Sequence, residues 1–266
     1  MKINYEETTE DLQTRIDIHG QFGTRDIDAW MLEILSLERG ISILDVGCGS
    51  GKQCVAFYEY LEGDVTVTGG DVSDELLEKA RIATADQSDQ IDIIELDFNE
   101  RFQFDDDLFD LVSCCFAIYY AQDVPFTIGE MRRVINPGGR LFTTGPMPEN
   151  KKLFYDIIHE ATGKKIPPMP GSSRFKSEFL AEIEKQFSKL DVYVFENPLV
   201  FPEVKPFMDY TRASLSEDRK LWSDFFQSEG DFERIMAQIE EVASRRFAEE
   251  GQLVMTKVVG GIIAVK

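Results

Sequence analysis

The stretch that most constrains the fold is residues 43–51, ILDVGCGSG, in which an apolar run ends in an acid and is followed by three glycines at alternate positions. A continuous apolar run is typical of a strand that is buried on both faces of a parallel sheet. Glycines after such a strand let the chain turn sharply and bring its backbone close to a ligand. Residues 52–61 have a helical pattern. The stretch therefore predicts the strand, turn and helix that begin a nucleotide-binding βαβ unit, with helix N–H groups facing the turn.

The spacing of the glycines bears on which cofactor such a turn would hold. It is GxGxG, which differs from the GxGxxG of dinucleotide enzymes and from the GxxxxGK[ST] of phosphate-binding loops. Taken alone, this spacing fits a plain turn as well as a cofactor site, because glycine turns after strands are common. The continuation of the chain decides between the two.

Four more strands are predicted after the first, and two of them end in an acid. Asp71 follows the second strand, at the place where an acid typically bonds the two hydroxyls of a ribose. Asp97 and Phe98 follow the third strand. These strands are predicted at residues 65–70, 91–96, 109–116 and, after a helix, within 133–142. Regularly spaced strand ends that carry acids favour a cofactor site.

As an ordered set, these pieces resemble the class I S-adenosylmethionine (SAM)-dependent methyltransferases, over about residues 40–145. The branch they look most similar to acts on small molecules and includes quinone-biosynthesis and trans-aconitate methyltransferases. The resemblance implies an α/β fold: a Rossmann-like, seven-stranded, mostly parallel sheet with helices on both faces, an antiparallel last strand and a helical lid. The matching motifs are LDVGCGSG (44–51), GGDVSDELLEKAR (69–81), IELDFNE (94–100), FDLVSCCFAIYYAQD (109–123) and MRRVINPGGRLF (131–142).

The resemblance implies SAM as the cofactor, S-adenosylhomocysteine as its product, and no metal. It also implies a role for particular residues of this chain. The glycine turn would meet the methionine and ribose portions, Asp71 the ribose hydroxyls, Asp97 and Phe98 the adenine, and Asp45 the SAM amino group, directly or through water. The expected cofactor-binding residues are Asp45, Gly47, Cys48, Gly49, Gly51, Asp71, Val72, Asp97, Phe98, Cys115, Phe116, Gln21 and Arg25. For Gln21 and Arg25, which would reach the methionine end, a capping or surface role stays equally open.

Three residues are candidates for positioning the acceptor or taking its proton. Tyr119 and Tyr120 follow the fourth strand, where ligands bind in open α/β sheets, although ordinary aromatic packing would also place them there. His19 is one of only two histidines and is expected in a polar turn over residues 19–25, where a solvated histidine without a catalytic role is the alternative.

The amino-acid composition limits the classes of partner that this protein is expected to bind. The chain has 49 acidic and 28 basic residues, a net charge of −21, and its basic doublets are scattered among acids. Binding a phosphate backbone needs a concentrated basic face, so a nucleic-acid substrate is not expected. No apolar run approaches 18 residues and no signal peptide is recognised, so we expect a cytoplasmic protein without membrane insertion. The four cysteines lack metal-ligand spacing and are expected to be reduced thiols.

The chain is expected to form an N-terminal helical cover (1–39), a SAM-binding core (40–202, with a helical elaboration at about 149–188), a helical lid (203–250) and a final core strand (251–266).

The expected activity is methyl transfer to a small-molecule acceptor at oxygen. Methylation of nitrogen or carbon, or a SAM-binding regulatory protein without methyl transfer, is the alternative. The fourth strand ends in Ser-Cys-Cys-Phe, not the Asn/Asp-Pro-Pro-Tyr of enzymes that methylate amides and bases. The oligomeric state follows from none of these features.

Overall fold

A computed structural model of the chain describes residues 8–166 and 174–266. Its centre is a seven-stranded sheet with the strand order β3-β2-β1-β4-β5-β7-β6. The pairs β1–β2, β1–β4, β2–β3 and β4–β5 are parallel, whereas β5–β7 is antiparallel, which confirms the predicted fold class. The strands are β1 Ile41–Val46, β2 Val65–Asp71, β3 Ile91–Glu95, β4 Phe109–Cys115, β5 Ile135–Pro146, β6 Lys189–Phe201 and β7 Leu253–Val265.

Strand β1 lies at the point where the strand order reverses, with β2 on one side and β4 on the other. Its last residues are in register with both neighbours, so that Asp45 pairs with Gly69 of β2 and with Ser113 of β4. A crevice forms beyond the carboxyl ends of the strands at such a reversal, because the following connections leave in opposite directions. The glycine turn after β1 opens into this position.

Helices connect most of the strands, and several begin at a side-chain cap. Thr8, Ser73 and Asp123 each accept a hydrogen bond from a backbone N–H in the first turn of the helix that follows. The α-helices are α1 Thr9–Phe22, α2 Ile27–Leu35, α3 Lys52–Tyr60, α4 Asp74–Ala83, α5 Val124–Val134, α6 Lys152–Thr162, α7 Leu180–Gln186, α8 Val204–Ala213, α9 Arg219–Phe225 and α10 Asp231–Glu250. A π-helical turn, Phe175–Phe179, leads directly into α7.

The predicted turn over residues 19–25 is wrong for residues 19–22, because α1 continues through His19 and Gly20 to Phe22, and the chain bends only at residues 24 and 25. The helix ends where the N–H of Gly23 bonds to the carbonyl of His19. A glycine inside a helix costs about 1 kcal/mol relative to alanine, which made a turn the expected outcome. Burial of Ile18 and packing of Phe22 against the same apolar cluster offset that cost.

The chain divides into two compact units. The sheet unit comprises 27–148, 170–195 and 259–266, and the helical unit comprises 1–26, 149–169 and 196–258. The predicted N-terminal segment 1–39 holds both α1 and α2, which fall in different units.

Within the sheet unit, neighbouring strand residues belong to different apolar clusters. Ile43 packs in one cluster with α2, α3 and α4, whereas Leu44 packs in another with α5 and α7. Leu141 and Phe142 of β5 divide in the same way. Because successive side chains of a strand point to opposite faces, the two clusters lie on opposite faces of the sheet. Helices therefore cover both faces, as predicted.

The helical unit has its own apolar core. Buried side chains of α1, α6, α8, α9 and α10 form one cluster, with Trp222 stacked on Phe226 at a centroid distance of 5.4 Å. Tyr210 and Phe154 are fully buried in it. Lys151 and Asp218 are buried in the same unit, with the Nζ of Lys151 3.3 Å from Oδ2 of Asp218.

Candidate active site

The glycine turn after β1 is held against the end of β2. The N–H groups of Gly47 and Cys48 both donate to the carbonyl of Gly70, at 2.7 and 3.0 Å. Gly47 has a φ of +73°, and a Cβ built on it would lie 2.6 Å from the Cβ of Ala117. Gly49 also has a positive φ, of +56°, but a Cβ there would meet no atom within 4 Å. The turn is therefore closed on one side by protein and leaves open space beside Gly49.

Asp71, the predicted ribose anchor, is fixed by two backbone N–H groups. Gly49 donates to its Oδ2 and Ser73 donates to its Oδ1, each at 3.0 Å. The carboxylate thus joins the glycine turn to the end of β2. Val72, the next residue, is 59 % exposed. A carboxylate oriented in this way, beside an exposed apolar side chain, suits a ribose hydroxyl pair next to a flat ring.

Asp45 lies at the end of β1 and is buried. The hydroxyl of Ser113 donates to its Oδ1, and the thiol of Cys54 donates to its Oδ2 at 3.6 Å. Burial raises the pKa of Asp45 to about 6, opposed by these two hydrogen bonds and reinforced by the charge of Asp71. Each oxygen of Asp45 thus accepts one hydrogen bond from the protein and keeps a second lone pair.

The end of β3 brings Asp97 and Phe98 to the same region. The backbone and side-chain N–H groups of Asn99 donate to Oδ1 of Asp97 at 2.8 and 3.0 Å. The ring of Phe98 lies 3.9 Å from the Cβ position of Gly47, so it borders the glycine turn. Thr127 of α5 donates to the Phe98 carbonyl and holds this segment in place.

The end of β4 contains a residue in an unfavourable backbone conformation. Phe116 has a φ of +56°, and its N–H donates to the carbonyl of Thr144 at 3.1 Å. An aromatic residue rarely adopts the left-handed region, and such strain tends to occur at functional sites. Burial raises the pKa of the Cys115 thiol above its usual range, so this cysteine is a neutral thiol. The backbone at residues 115 and 116 lies at the carboxyl end of β4.

Tyr119 and Tyr120 form the end of a single 3-10 turn, Ile118–Tyr120, with ring centroids 4.8 Å apart. Tyr119 is half-buried against the core, whereas Tyr120 is 69 % exposed. The guanidinium of Arg174 donates to the carbonyls of Tyr119 and Ala121 at 2.8 and 2.9 Å. This contact was not predicted, since Arg174 is 55 residues away from Tyr119 along the chain.

The other predicted site residues belong to the helical unit. His19 is half-buried on α1, so the alternative of a solvated turn histidine is wrong. Gln21 is exposed and lines a groove between α1 and α8. Arg25 is exposed, and its Nη1 donates to the carbonyl of Glu196 at 3.1 Å. These three residues are thus not assembled with the glycine turn in one unit.

The residues of the sheet unit fit SAM. Three carboxylates at the ends of β1, β2 and β3 suit a cationic ligand that also carries hydroxyl and amine donors. The space that a side chain at Gly49 would fill is open to a ligand that lies along the backbone.

Among residues 8–166 and 174–266, no group of three or more His, Cys, Asp or Glu side chains could hold a metal ion. Over the same residues, no helix has the length and apolar character needed to span a membrane.

Comparisons with known proteins agree with this geometry. Residues 43–139 match the family model described as a methyltransferase domain. The chain is 32 % identical over 159 residues to a demethylmenaquinone methyltransferase from Chlorobaculum tepidum, an alignment that covers 59 % of this chain and 63 % of the relative. It is 29 % identical over 129 residues to a ubiquinone biosynthesis O-methyltransferase from Vibrio atlanticus, covering 48 % of this chain and 53 % of that one. The chain thus spans less than two thirds of the length of either relative.

A solved structure shows the same fold. A SAM-dependent methyltransferase from Aquifex aeolicus superposes with a TM-score of 0.52 at 16 % identity, covering 72 % of this chain and 91 % of that one. The predicted resemblance to methyltransferases is confirmed by the family model and by these relatives.

Proposed function

We propose that this protein transfers the methyl group of SAM to a small, quinone-type acceptor. The observation that carries the proposal is the glycine turn joined to Asp71 at the strand reversal, within the residues that match a methyltransferase domain. A turn with open space at Gly49 and a carboxylate fixed at the end of β2 suits a nucleoside whose ribose lies along the backbone.

SAM, when bound, supplies a methyl group on a sulfonium that is already a good leaving group. The protein then mainly has to bind the acceptor, align it with the methyl group and exclude water. Asp71 would accept bonds from the ribose hydroxyls, and Asp97 and Phe98 would contact the adenine amine and ring. Asp45 would stabilise the positively charged amino group by its charge. The backbone around Cys115 and Phe116 would border the methionine portion.

We propose oxygen as the methylated atom, with methylation at carbon or nitrogen as the alternative. The two relatives support a quinone-type acceptor, because one is named for demethylmenaquinone and the other for O-methylation in ubiquinone biosynthesis. Tyr119 is proposed to orient this acceptor, since it lies in the turn that follows β4 and is held there by Arg174.

Substitution of Asp71 tests the cofactor site. A charged hydrogen-bond partner contributes about 1.5 to 3 kcal/mol, so Asp71→Ala should weaken SAM binding roughly 10- to 150-fold by calorimetry. Asp74→Ala is the matched control, because Asp74 is an exposed acid three residues further along the chain. Equal affinity of SAM for Asp71→Ala and the wild type would overturn the cofactor assignment.

Transfer itself is tested with SAM carrying an isotopically labelled methyl group and an extract that contains quinols. We expect the label in a small-molecule product whose fragmentation places it on oxygen. Label on carbon or nitrogen would support the alternative acceptor atoms. SAM binding without any labelled product would favour the regulatory protein that binds SAM but transfers nothing.

A further inference from the structure

The π-helical turn Phe175–Phe179 packs directly against the sheet. The ring of Phe175, which is 2 % exposed, occupies the space that side chains at Gly145 of β5 and Gly260 of β7 would need. A Cβ built on Gly145 would come within 2.5 Å of this ring, and one built on Gly260 within 2.9 Å. These two glycines pair across the strands, so together they form a notch that Phe175 fills. The π-helical turn is therefore fixed near the carboxyl end of β5.

Arg174 reaches from the start of this turn to the turn that follows β4. Its Nη1 donates to the carbonyl of Tyr119 at 2.8 Å, and its Nη2 donates to the carbonyl of Ala121 at 2.9 Å. Its Nε donates to Glu178 at 3.0 Å, and the guanidinium carbon lies 5.2 Å from the centroid of the Phe179 ring. Since all three nitrogens bind groups of the protein itself, these contacts indicate a positioning role and not a ligand-binding one.

The two carbonyl contacts define the position of the turn after β4. A guanidinium that donates through two nitrogens fixes both the distance and the orientation of the groups that it binds. The side chain of Arg174 is 28 % exposed and Ala121 is 1 % exposed, so these hydrogen bonds are partly shielded from water, which strengthens them. The last carbonyls of a helical turn are the ones that bind groups outside it. Arg174 thus ties the 3-10 turn Ile118–Tyr120 to the π-helical turn.

We propose that Arg174 is a positioning residue for methyl transfer, which sets where Tyr119 lies at the end of β4 without contacting SAM or the acceptor. This inference rests on the proposed function, because it requires Tyr119 to orient the acceptor. Phe175 in the glycine notch is the fixed point, and the guanidinium relates the backbone of Tyr119 to it. A displacement of about 1 Å near the reacting atoms lowers turnover by about 100-fold, so a support of this kind affects the rate without taking part in the chemistry.

Fluorine NMR tests the position of Tyr119 without an assay of activity. The full-length protein is labelled with 3-fluorotyrosine, and Tyr119→Phe and Tyr58→Phe assign two of the eight tyrosine signals. Arg174→Gln should shift or broaden the Tyr119 signal, because the turn loses its tie to the π-helical turn. Tyr58, on α3, is the internal reference and should not change. An unchanged Tyr119 signal in Arg174→Gln would overturn the inference.

Two further variants separate contact geometry from charge. Arg174→Lys keeps the positive charge, but one ammonium does not reproduce the planar contact with two carbonyls, so the Tyr119 signal should change as it does in Arg174→Gln. Lys185→Gln removes an exposed positive charge that lines the same groove as Arg174, and it should leave the Tyr119 signal in place. Circular dichroism monitors folding of each variant. A normal signal in Arg174→Lys, or an equal change in Lys185→Gln, would contradict positioning by contact geometry.

Turnover tests whether the position of Tyr119 matters for transfer. With methyl-labelled SAM and 1,4-naphthalenediol as the quinol probe, Arg174→Gln should lower kcat roughly 10- to 100-fold and leave SAM affinity within about 2-fold of wild type. In a Tyr119→Ala background, the same substitution should change kcat by less than about 2-fold, because residues that act through one another are not additive. A full further loss in that background, or a parallel loss of SAM affinity, would assign Arg174 to general stability and overturn the inference.

The behaviour of the wild type keeps the two proposals separate. If it binds SAM but does not methylate 1,4-naphthalenediol, that result counts against the proposed quinone-type acceptor, and the fluorine spectra alone decide whether Arg174 positions Tyr119. If the wild type is active and Arg174→Gln has the same kcat, the inference fails and the proposed methyl transfer stands.

Discussion

The buried carboxyl group of Asp45 makes the stability of this protein depend on pH. Its folded-state pKa of about 6 lies above the value of about 3.9 in an unfolded chain. The stability that it contributes is therefore fully present below about pH 4 and is lost as pH rises through 6. A difference of about two pKa units corresponds to at most about 3 kcal/mol. Above pH 6, the protein without ligand carries the cost of a buried negative charge.

Replacing Asp45 with asparagine tests this cost. Asp45→Asn keeps the shape and removes the charge, so at pH 8 it should raise the free energy of unfolding by about 1 to 3 kcal/mol in urea titrations without ligand. The gain should vanish near pH 4, where the wild-type carboxyl group is protonated. SAM affinity should fall in the same variant. Asp92→Asn, at an exposed position on β3, is the control and should change neither quantity. The raised pKa would be contradicted if the difference in the free energy of unfolding between Asp45→Asn and wild type were the same at pH 8 as at pH 4.

Tyr119 allows its hydroxyl and its ring to be tested separately. If the hydroxyl orients the acceptor, Tyr119→Phe should leave SAM affinity intact and lower turnover by about 10- to 1000-fold, the range for a lost positioning or proton-transfer group. If the ring stabilises the sulfonium through a cation–π contact of about 0.5 to 2 kcal/mol, phenylalanine should retain activity and alanine should lose it. The exposed neighbour gives a matched control, Tyr120→Phe. Full activity of Tyr119→Ala would exclude both roles.

At the scale of the element, the segment 203–250 was predicted to be a lid with an aromatic stripe. Most of that stripe is buried in the core of the helical unit, including Phe207, Trp222 and Phe225. The break predicted near residue 214 is ordered as well, since Ser214 is buried and its Oγ accepts a hydrogen bond from Nε1 of Trp222. In the turn before α10, by contrast, all four residues of 227–230 are exposed. Closure over a ligand therefore stays a proposal, and this turn is the place to test it.

Limited proteolysis with a glutamate-specific protease measures that closure. Glu229 lies in the exposed turn before Gly230, which has a φ of +82°. If the segment closes, cutting after Glu229 should slow when S-adenosylhomocysteine and an acceptor analogue are both present. Cutting after Glu62, in the turn after α3, is the internal reference. An unchanged ratio of the two cuts with and without ligands would leave only a packed helical layer.

At the scale of the whole molecule, the protein carries a net charge of −21. Most of the ion pairs in the described residues lie on the surface, where such pairs contribute little. The buried cations Lys151 and Arg15 are exceptions that share Glu217. They hold the pKa of Glu217 at about 2, despite the opposing effect of burial. The charge total gave no indication of this cluster.

The sequence by itself determined the sheet unit in large part. The strand predicted at 109–116 is found at Phe109–Cys115, and the helix predicted at 52–61 is found at Lys52–Tyr60. Local patterns are sufficient here, because a buried strand and its turn are specified by consecutive apolar residues and glycines. The same reasoning placed Asp71 at the end of β2, where Gly49 now donates to it.

The tertiary structure alone decided what those side chains contact across long separations. Arg174 meets the Tyr119 carbonyl from 55 residues away, and Lys151 meets Glu217 from 66 residues away. His19 was expected in a polar turn, yet it lies on α1 and its ring packs on Tyr210. The period of the hydrophobic residues and the turn residues specify where a chain turns and which face of an element is buried. They carry no information on which distant polar groups contact each other in the folded protein. These contacts follow only from the folded packing of elements that are distant along the chain.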